Sequence, residues 1–249
     1  MTSTLRPAII VFYAVALHFS STLGTHSGLS GFSPDFLRHY DAAQQSVDES
    51  KSAEPLLALL AKYTNATEMV ELQLSIGLVY GQRTGLVDPA KAVAHFTAAL
   101  RYELPERTYI EILMWRGNSQ EQLKQRTGAL RDYLRGLLAC SYYDLSGGWP
   151  EFQRSKVPIY LSRAPDPDKD DPENAERMGD YNRYRKSIDF QQFLLMQRYY
   201  LVEAVRRVTN GRSGERAEIM EMLGSLTPDS SRFGLILDWL KSENKRPWP

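Results

Sequence analysis

Apolar residues recur along this chain at intervals of three and four rather than two. Between 188 and 208, Phe190, Phe193, Leu194, Gln197, Leu201, Ala204, Val205 and Val208 fall on one helical stripe, while Arg198, Glu203 and Arg206 lie off it. No alternating run of β-branched residues is longer than four, so the pattern predicts an all-α protein. Helix starts are marked by a capping residue followed by proline, whose missing N–H costs nothing at that position. Ser33-Pro34-Asp35 predicts a helix to about Val47, Asp88-Pro89 one to about Tyr102, and Thr227-Pro228-Asp229 one to about Ser242. Asn65 with Glu68 three residues on reads as a reciprocal capping box opening a helix over Met69 to Gln82. Further helices are expected over 55–63, 182–208 and 214–242.

The pattern breaks in three places. Within residues 1–24, Met1 to Pro7 hold one basic side chain, Arg6, followed by the apolar run Ala8 to Leu17, then small residues from Ser20 to Gly24. This is the layout of a secretory signal peptide cleaved after Gly24. At ~1.5 Å per residue the run covers about half of a ~30 Å hydrocarbon core, too little for an anchor. The expected location is therefore secreted or cell envelope, periplasmic in a bacterium, with no membrane span after cleavage. Residues 25–32 read as a Gly/Ser tether. Residues 146–180 contain Gly147-Gly148, five prolines and the run Asp166-Pro167-Asp168-Lys169-Asp170-Asp171. They are expected to form a linker between helical hairpins over 33–145 and a C-terminal helical hairpin over 181–245. Trp149, Phe152, Ile159, Tyr160 and Leu161 predict that its first half packs along the helices.

The helical region contains an internal echo. Residues 73–105 carry Ile76-Gly77, Tyr80, Gly85, Asp88, Lys91-Ala92, Phe96, Ala98-Ala99 and Pro105; residues 113–136 carry Gly117, Ala129, Tyr133 and Gly136. Each copy keeps a small residue, an aromatic four later and a small residue three after that, and Ala92 to Ala129 gives a period of 37. These strings resemble a tetratricopeptide-type (TPR) helical hairpin. The first copy, with Gly-Leu-Val-Asp and its Lys-Ala pair, is similar to the Sel1-like branch. The resemblance covers about seventy residues and departs in the second copy, with Arg116 where leucine is usual and Gln120 where an aromatic is usual. It implies antiparallel hairpins stacked as a short TPR-like solenoid, capped by helices 34–47 and 55–63 at one end and by a C-terminal helical pair at the other. In packing, Gly77 and Gly117 would let two helices approach closely, Ala92 and Ala129 would receive the contact, and Phe96 and Tyr133 would fill the volume between hairpins. By the same resemblance, an inner groove would present Glu71, Leu74, Leu78, Gln82, Glu111, Met114, Asn118 and Gln122. Such side chains suit an extended peptide, so the implied role is binding or scaffolding of a protein or peptide partner.

Charge and composition narrow the alternatives. Thirty basic residues against thirty acidic give no global field to draw the chain onto nucleic acid. Between Arg177 and Arg216 nine basic residues face four acidic ones, interleaved with Tyr181, Tyr184, Phe190, Phe193, Tyr199 and Tyr200. This reads as a docking face for an acidic partner or for the chain's own Asp-rich linker, not as a nucleic-acid site. A single cysteine, Cys140, excludes an intramolecular disulfide and a Cys-rich zinc site, and its apolar neighbours predict a buried thiol.

Catalytic chemistry finds little support. His26, His39 and His95 have no metal-ligand spacing, and His95 reads as a hydrogen-bonded core histidine. No nucleotide loop or nucleophile elbow is present, and the Asp166 run lacks the glycine and glutamate of a calcium loop. No cofactor or metal is expected. The one enzyme alternative is a carboxylate-based, glycan-directed hydrolase with Glu111 and Glu121 as its acids. A purely structural assembly component is the third reading.

Overall fold

The computed structural model describes residues 31–83, 85–145, 172–209, 215–227 and 231–242. The expected signal peptide, nearly all of the tether and linker residues 146–171, including the acidic run, lie outside these. The described residues form nine helices and no strand, so the all-α class holds. They are α1 (Pro34–Ser50), α2 (Glu54–Lys62), α3 (Ala66–Gln82), α4 (Pro89–Ala99), α5 (Glu106–Gln122), α6 (Arg126–Leu145), α7 (Pro172–Thr209), α8 (Glu215–Ser225) and α9 (Ser231–Ser242).

The caps follow local chemistry. Ser33 Oγ accepts the Phe36 amide at 3.1 Å to open α1, and Asp88 accepts the Lys91 amide at 3.1 Å to open α4. Asn65 opens α3 by accepting the amides of Thr67 and Glu68. The reciprocal half of the expected box does not form. Glu68 instead accepts from the Ser33 amide at 3.1 Å and the Ser33 hydroxyl at 2.8 Å. A buried carboxylate thus spends its acceptors on a neighbouring helix start, pinning α1 to α3.

Two expected boundaries are corrected. Helix α7 begins at Pro172, so 172–180 is helical and the linker is shorter than its composition implied. The rule that places proline at a helix start applies here as at Pro34 and Pro89. The stretch 214–242 is not one helix: α8 ends at Ser225 and α9 begins at Ser231, so the separate helix expected from Thr227-Pro228-Asp229 starts a few residues later. The C-terminal unit is therefore three helices rather than a hairpin.

Helices adjacent in sequence from α1 to α6 pack on one another, α3 also touches α5, and α7 lies against both α6 and α5. Helices α8 and α9 pack on α6. One continuous core runs through Phe36, Leu56, Ile76, Phe96, Ile110, Tyr133, Leu201 and Phe233, and Cys140 is fully buried within it. Truncating any of these aromatics to alanine removes roughly 3–5 kcal/mol on the usual scale for core cavities.

Candidate binding groove

Helix spacing in this region is set in part by aromatic side chains that meet glycine. A Cβ placed on Gly77 would lie 2.6 Å from the Phe96 ring, and one on Gly117 would lie 2.5 Å from the Tyr133 ring. Both contacts are inside a hairpin, α3 against α4 and α5 against α6, whereas the aromatics were expected between hairpins. Ala92 lies 3.7 Å from where a Cβ of Gly81 would stand, so a second glycine, not singled out from the sequence, also forms part of the α3–α4 contact. Ala129 is fully buried on α6.

The two departures from the repeat pattern have structural explanations. Arg116 donates from Nε and Nη2 to both oxygens of Asp132, each at 2.7 Å, and from Nη1 to Thr97 at 3.3 Å. Gln120 packs on Gly128, with its Oε1 2.5 Å from where a Cβ would be. In the first hairpin, Tyr80 occupies the place of Gln120 and stacks on His95, whose Nδ1 lies 2.7 Å from Gln73 Oε1. Burial holds the His95 imidazole below its usual range.

Helices α5 and α7 then face each other along matched ridges. Arg107, Glu111, Met114, Asn118 and Glu121 repeat at four and three residues on α5; Phe193, Gln197, Tyr200, Ala204 and Arg207 do so on α7. Three contacts fix the register. The Arg107 guanidinium lies 4.6 Å from the Phe193 ring centre, Tyr200 Oη donates to Asn118 Oδ1 at 2.6 Å, and Arg207 donates twice to Glu121 at 2.6 and 2.8 Å.

At one end of these ridges is an open cleft of about 340 Å³, lined by Gly81, Gln82, Phe96, Trp115, Asn118, Ser119, Glu121, Gln122 and Arg207. Asn118 is held from behind. Its Oδ1 lies 2.8 Å from the Tyr133 hydroxyl, which shares its one proton with Glu121 Oε2 at 2.9 Å, and it accepts from Tyr200. Burial pushes both phenols up, so both stay protonated at physiological pH. The Asn118 nitrogen is left at the cleft. The Glu121 hydrogen bonds hold the Arg207 proton more tightly than usual.

At the other end lie two carboxylates. Glu71 accepts from Tyr40 Oη at 2.7 Å and, more weakly, from Ser75 at 3.4 Å; Glu111 accepts from Arg107 at 3.3 Å. Burial pushes Glu71 up against the pull of these hydrogen bonds. Burial also pushes Glu111 up; Arg107 opposes this, and the charge of nearby Glu71 adds to it.

The structure therefore divides the residues expected in the groove. Gln82, Asn118 and Gln122 meet at the cleft, whereas Glu71 and Glu111 are not among the residues that line it. Leu78 is half-buried, while Leu74 and Met114 are buried and serve as packing instead. Trp115, Ser119 and Arg207 complete the cleft without having been singled out, since α7 is distant in sequence and only the fold brings Arg207 to α5. The hydrolase pairing of Glu111 with Glu121 does not form. Ten residues on one helix separate them by about 15 Å along the axis, beyond the ~5–9.5 Å of paired glycosidase acids, and Glu121 is committed to Arg207.

Among the described residues no cluster of three metal-ligating side chains exists, and no helix is long and apolar enough to cross a membrane. Comparison with protein-family models, curated proteins and solved structures finds no match to this chain.

Proposed function

We propose that this chain is a TPR/Sel1-like helical-repeat protein whose stacked hairpins bind an extended polypeptide in the groove formed by α3, α5 and α7. The observation that carries the reading is Asn118. Two tyrosine hydroxyls fix one end of its amide and leave the other at the cleft, with no partner among the described residues. An orientation paid for by two buried phenols is preorganised for a directional hydrogen bond, which lowers the ordering cost of binding. Gln82, Ser119 and Gln122 add further donors and acceptors, and Trp115 adds a flat apolar face. That combination suits a peptide backbone, which offers one acceptor and one donor per residue. The apolar segment at 8–17 supports an exported setting.

The test is selection of a phage-displayed library of random 15-residue peptides against the full chain, followed by hydrogen exchange with a recovered peptide bound. Protection concentrated in α3, α5 and α7 supports the reading. Recovery of no peptide, or protection confined to α8 and α9, overturns it.

A further inference from the structure

The cleft beside Asn118 offers a ligand no uncompensated charge. Among its lining residues only Glu121 and Arg207 have ionisable side chains, and these are joined to each other by hydrogen bonds of 2.6 and 2.8 Å. Both Glu121 oxygens are occupied: Oε1 accepts from Arg207 Nε, while Oε2 accepts from Arg207 Nη2 and lies 2.9 Å from the Tyr133 hydroxyl. A charged ligand group entering here would leave water without meeting a counter-charge of its own, which disfavours acids and bases alike.

The rest of the lining is neutral and rich in amides. Gln82, Asn118 and Gln122 each bring a carboxamide, and Ser119 brings a hydroxyl that donates to the Trp115 carbonyl at 3.1 Å, so its oxygen remains an acceptor. Asn118 is the fixed member, since the Tyr133 and Tyr200 hydroxyls meet its Oδ1 at 2.8 and 2.6 Å and leave Nδ2 as a donor. Gly81 adds no side chain to the opposite wall. A Cβ there would stand 3.5 Å from Ser119 Oγ and 3.9 Å from the Phe96 ring, so glycine keeps the space over both open. The opening, about 340 Å³, is at the small end of ligand sites and suits one polar side chain.

We propose that this cleft selects the carboxamide of an asparagine or glutamine in the bound peptide and rejects the acids of the same shape. A primary amide brings a carbonyl acceptor for Asn118 Nδ2 and N–H donors for the oxygens of Ser119, Gln82 or Gln122. Aspartate and glutamate match it in shape but replace the donors with a charge that the closed Glu121–Arg207 pair does not offset. Lysine and arginine bring a charge and no acceptor. Leucine and methionine fit the space but leave polar groups of the cleft covered and unpaired. Phe96 and Trp115 supply apolar surface for the methylene stem of the amide.

The inference rests on peptide binding in the groove, and its test separates the two. Peptides recovered from the random library are resynthesised with each asparagine or glutamine replaced in turn by the isosteric acid, and by leucine or methionine. They are titrated against the native chain and Glu121→Gln. The expected result is one amide position at which either replacement weakens binding to the native chain by about tenfold or more. Glu121→Gln keeps the shape and an acceptor for the Tyr133 hydroxyl but removes the charge that offsets Arg207. The acid-bearing peptide should therefore bind this variant about tenfold more tightly than it binds the native chain. The native-chain titrations do not depend on how the variant folds. Peptides that lack asparagine and glutamine, or whose amides exchange for acids without loss, would overturn amide selection and leave the groove reading standing. An acid-bearing peptide that gains nothing from Glu121→Gln would also overturn it, because the offset Arg207 charge is what excludes acids. Recovery of no peptide would overturn both.

Discussion

Arg116 and Asp132 form a doubly hydrogen-bonded ion pair inside the α5–α6 hairpin, with side chains only 10% and 2% exposed. The buried arginine is thus compensated on the facing helix. Arg135 lies 3.9 Å from the same carboxylate and reaches on to the Thr227 carbonyl and the Phe233 ring, so the pair joins the hairpin to α9.

Removing one partner strands the other. Arg116→Leu or Asp132→Leu should each cost about 3–5 kcal/mol, whereas the two combined should cost clearly less than the sum. Chemical denaturation of the four-member cycle measures this. Additive single losses would show that the two residues do not act as a pair.

The glycine contacts predict a contrast within one residue type. Gly77→Ala and Gly117→Ala place a methyl within 2.6 Å and 2.5 Å of buried rings, and each should destabilise by about 1–3 kcal/mol through overpacking. Gly224→Ala on α8 meets nothing within 4 Å and gains helix propensity, so it should be neutral or stabilising by up to about 1 kcal/mol. Equal unfolding midpoints for all three would remove the steric account.

Much of the fold is legible because helix signals are local. Ser33-Pro34, Asn65 and Asp88-Pro89 name their helix starts, and Gly77 and Gly117 are readable as close-contact positions within a hairpin, although the side chains that meet them are Phe96 and Tyr133 rather than the expected Ala92 and Ala129. What escaped depends on distant partners. Glu68 looks like half of a capping box until α1 is seen to place Ser33 beside it. Arg207 looks like one basic residue among many until α7 lies against α5. Gln197 looks like a member of an apolar stripe, and it is buried with that stripe. Composition also misplaced the start of α7, because prolines and aspartates upstream obscured Pro172 as a helix-opening residue.

The carboxylates Glu71 and Glu111 predict an inverted pH dependence. An acid whose pKa is raised on folding binds more protons folded than unfolded, so its contribution to stability is full below the ordinary value of 4.5 and is lost as pH rises through the folded value. Thermal midpoints of the native chain from pH 4 to 8 should therefore carry a component that falls with pH. Glu71→Gln/Glu111→Gln should remove that component and melt higher at pH 8. A parallel pair of curves, with no gain at pH 8, would contradict it.

The central claim is that a preorganised Asn118 binds a peptide, and isothermal titration of a selected peptide into native and Asn118→Asp chains tests it most directly. Aspartate keeps an acceptor for Tyr133 and Tyr200 but removes the nitrogen from the cleft. Gln122→Ala, at an exposed cleft position, serves as a second variant whose folding is not in question. The account predicts at least tenfold weaker binding for Asn118→Asp and a smaller loss for Gln122→Ala, with the unfolding midpoint of the latter unchanged. Native affinity in both variants would contradict it.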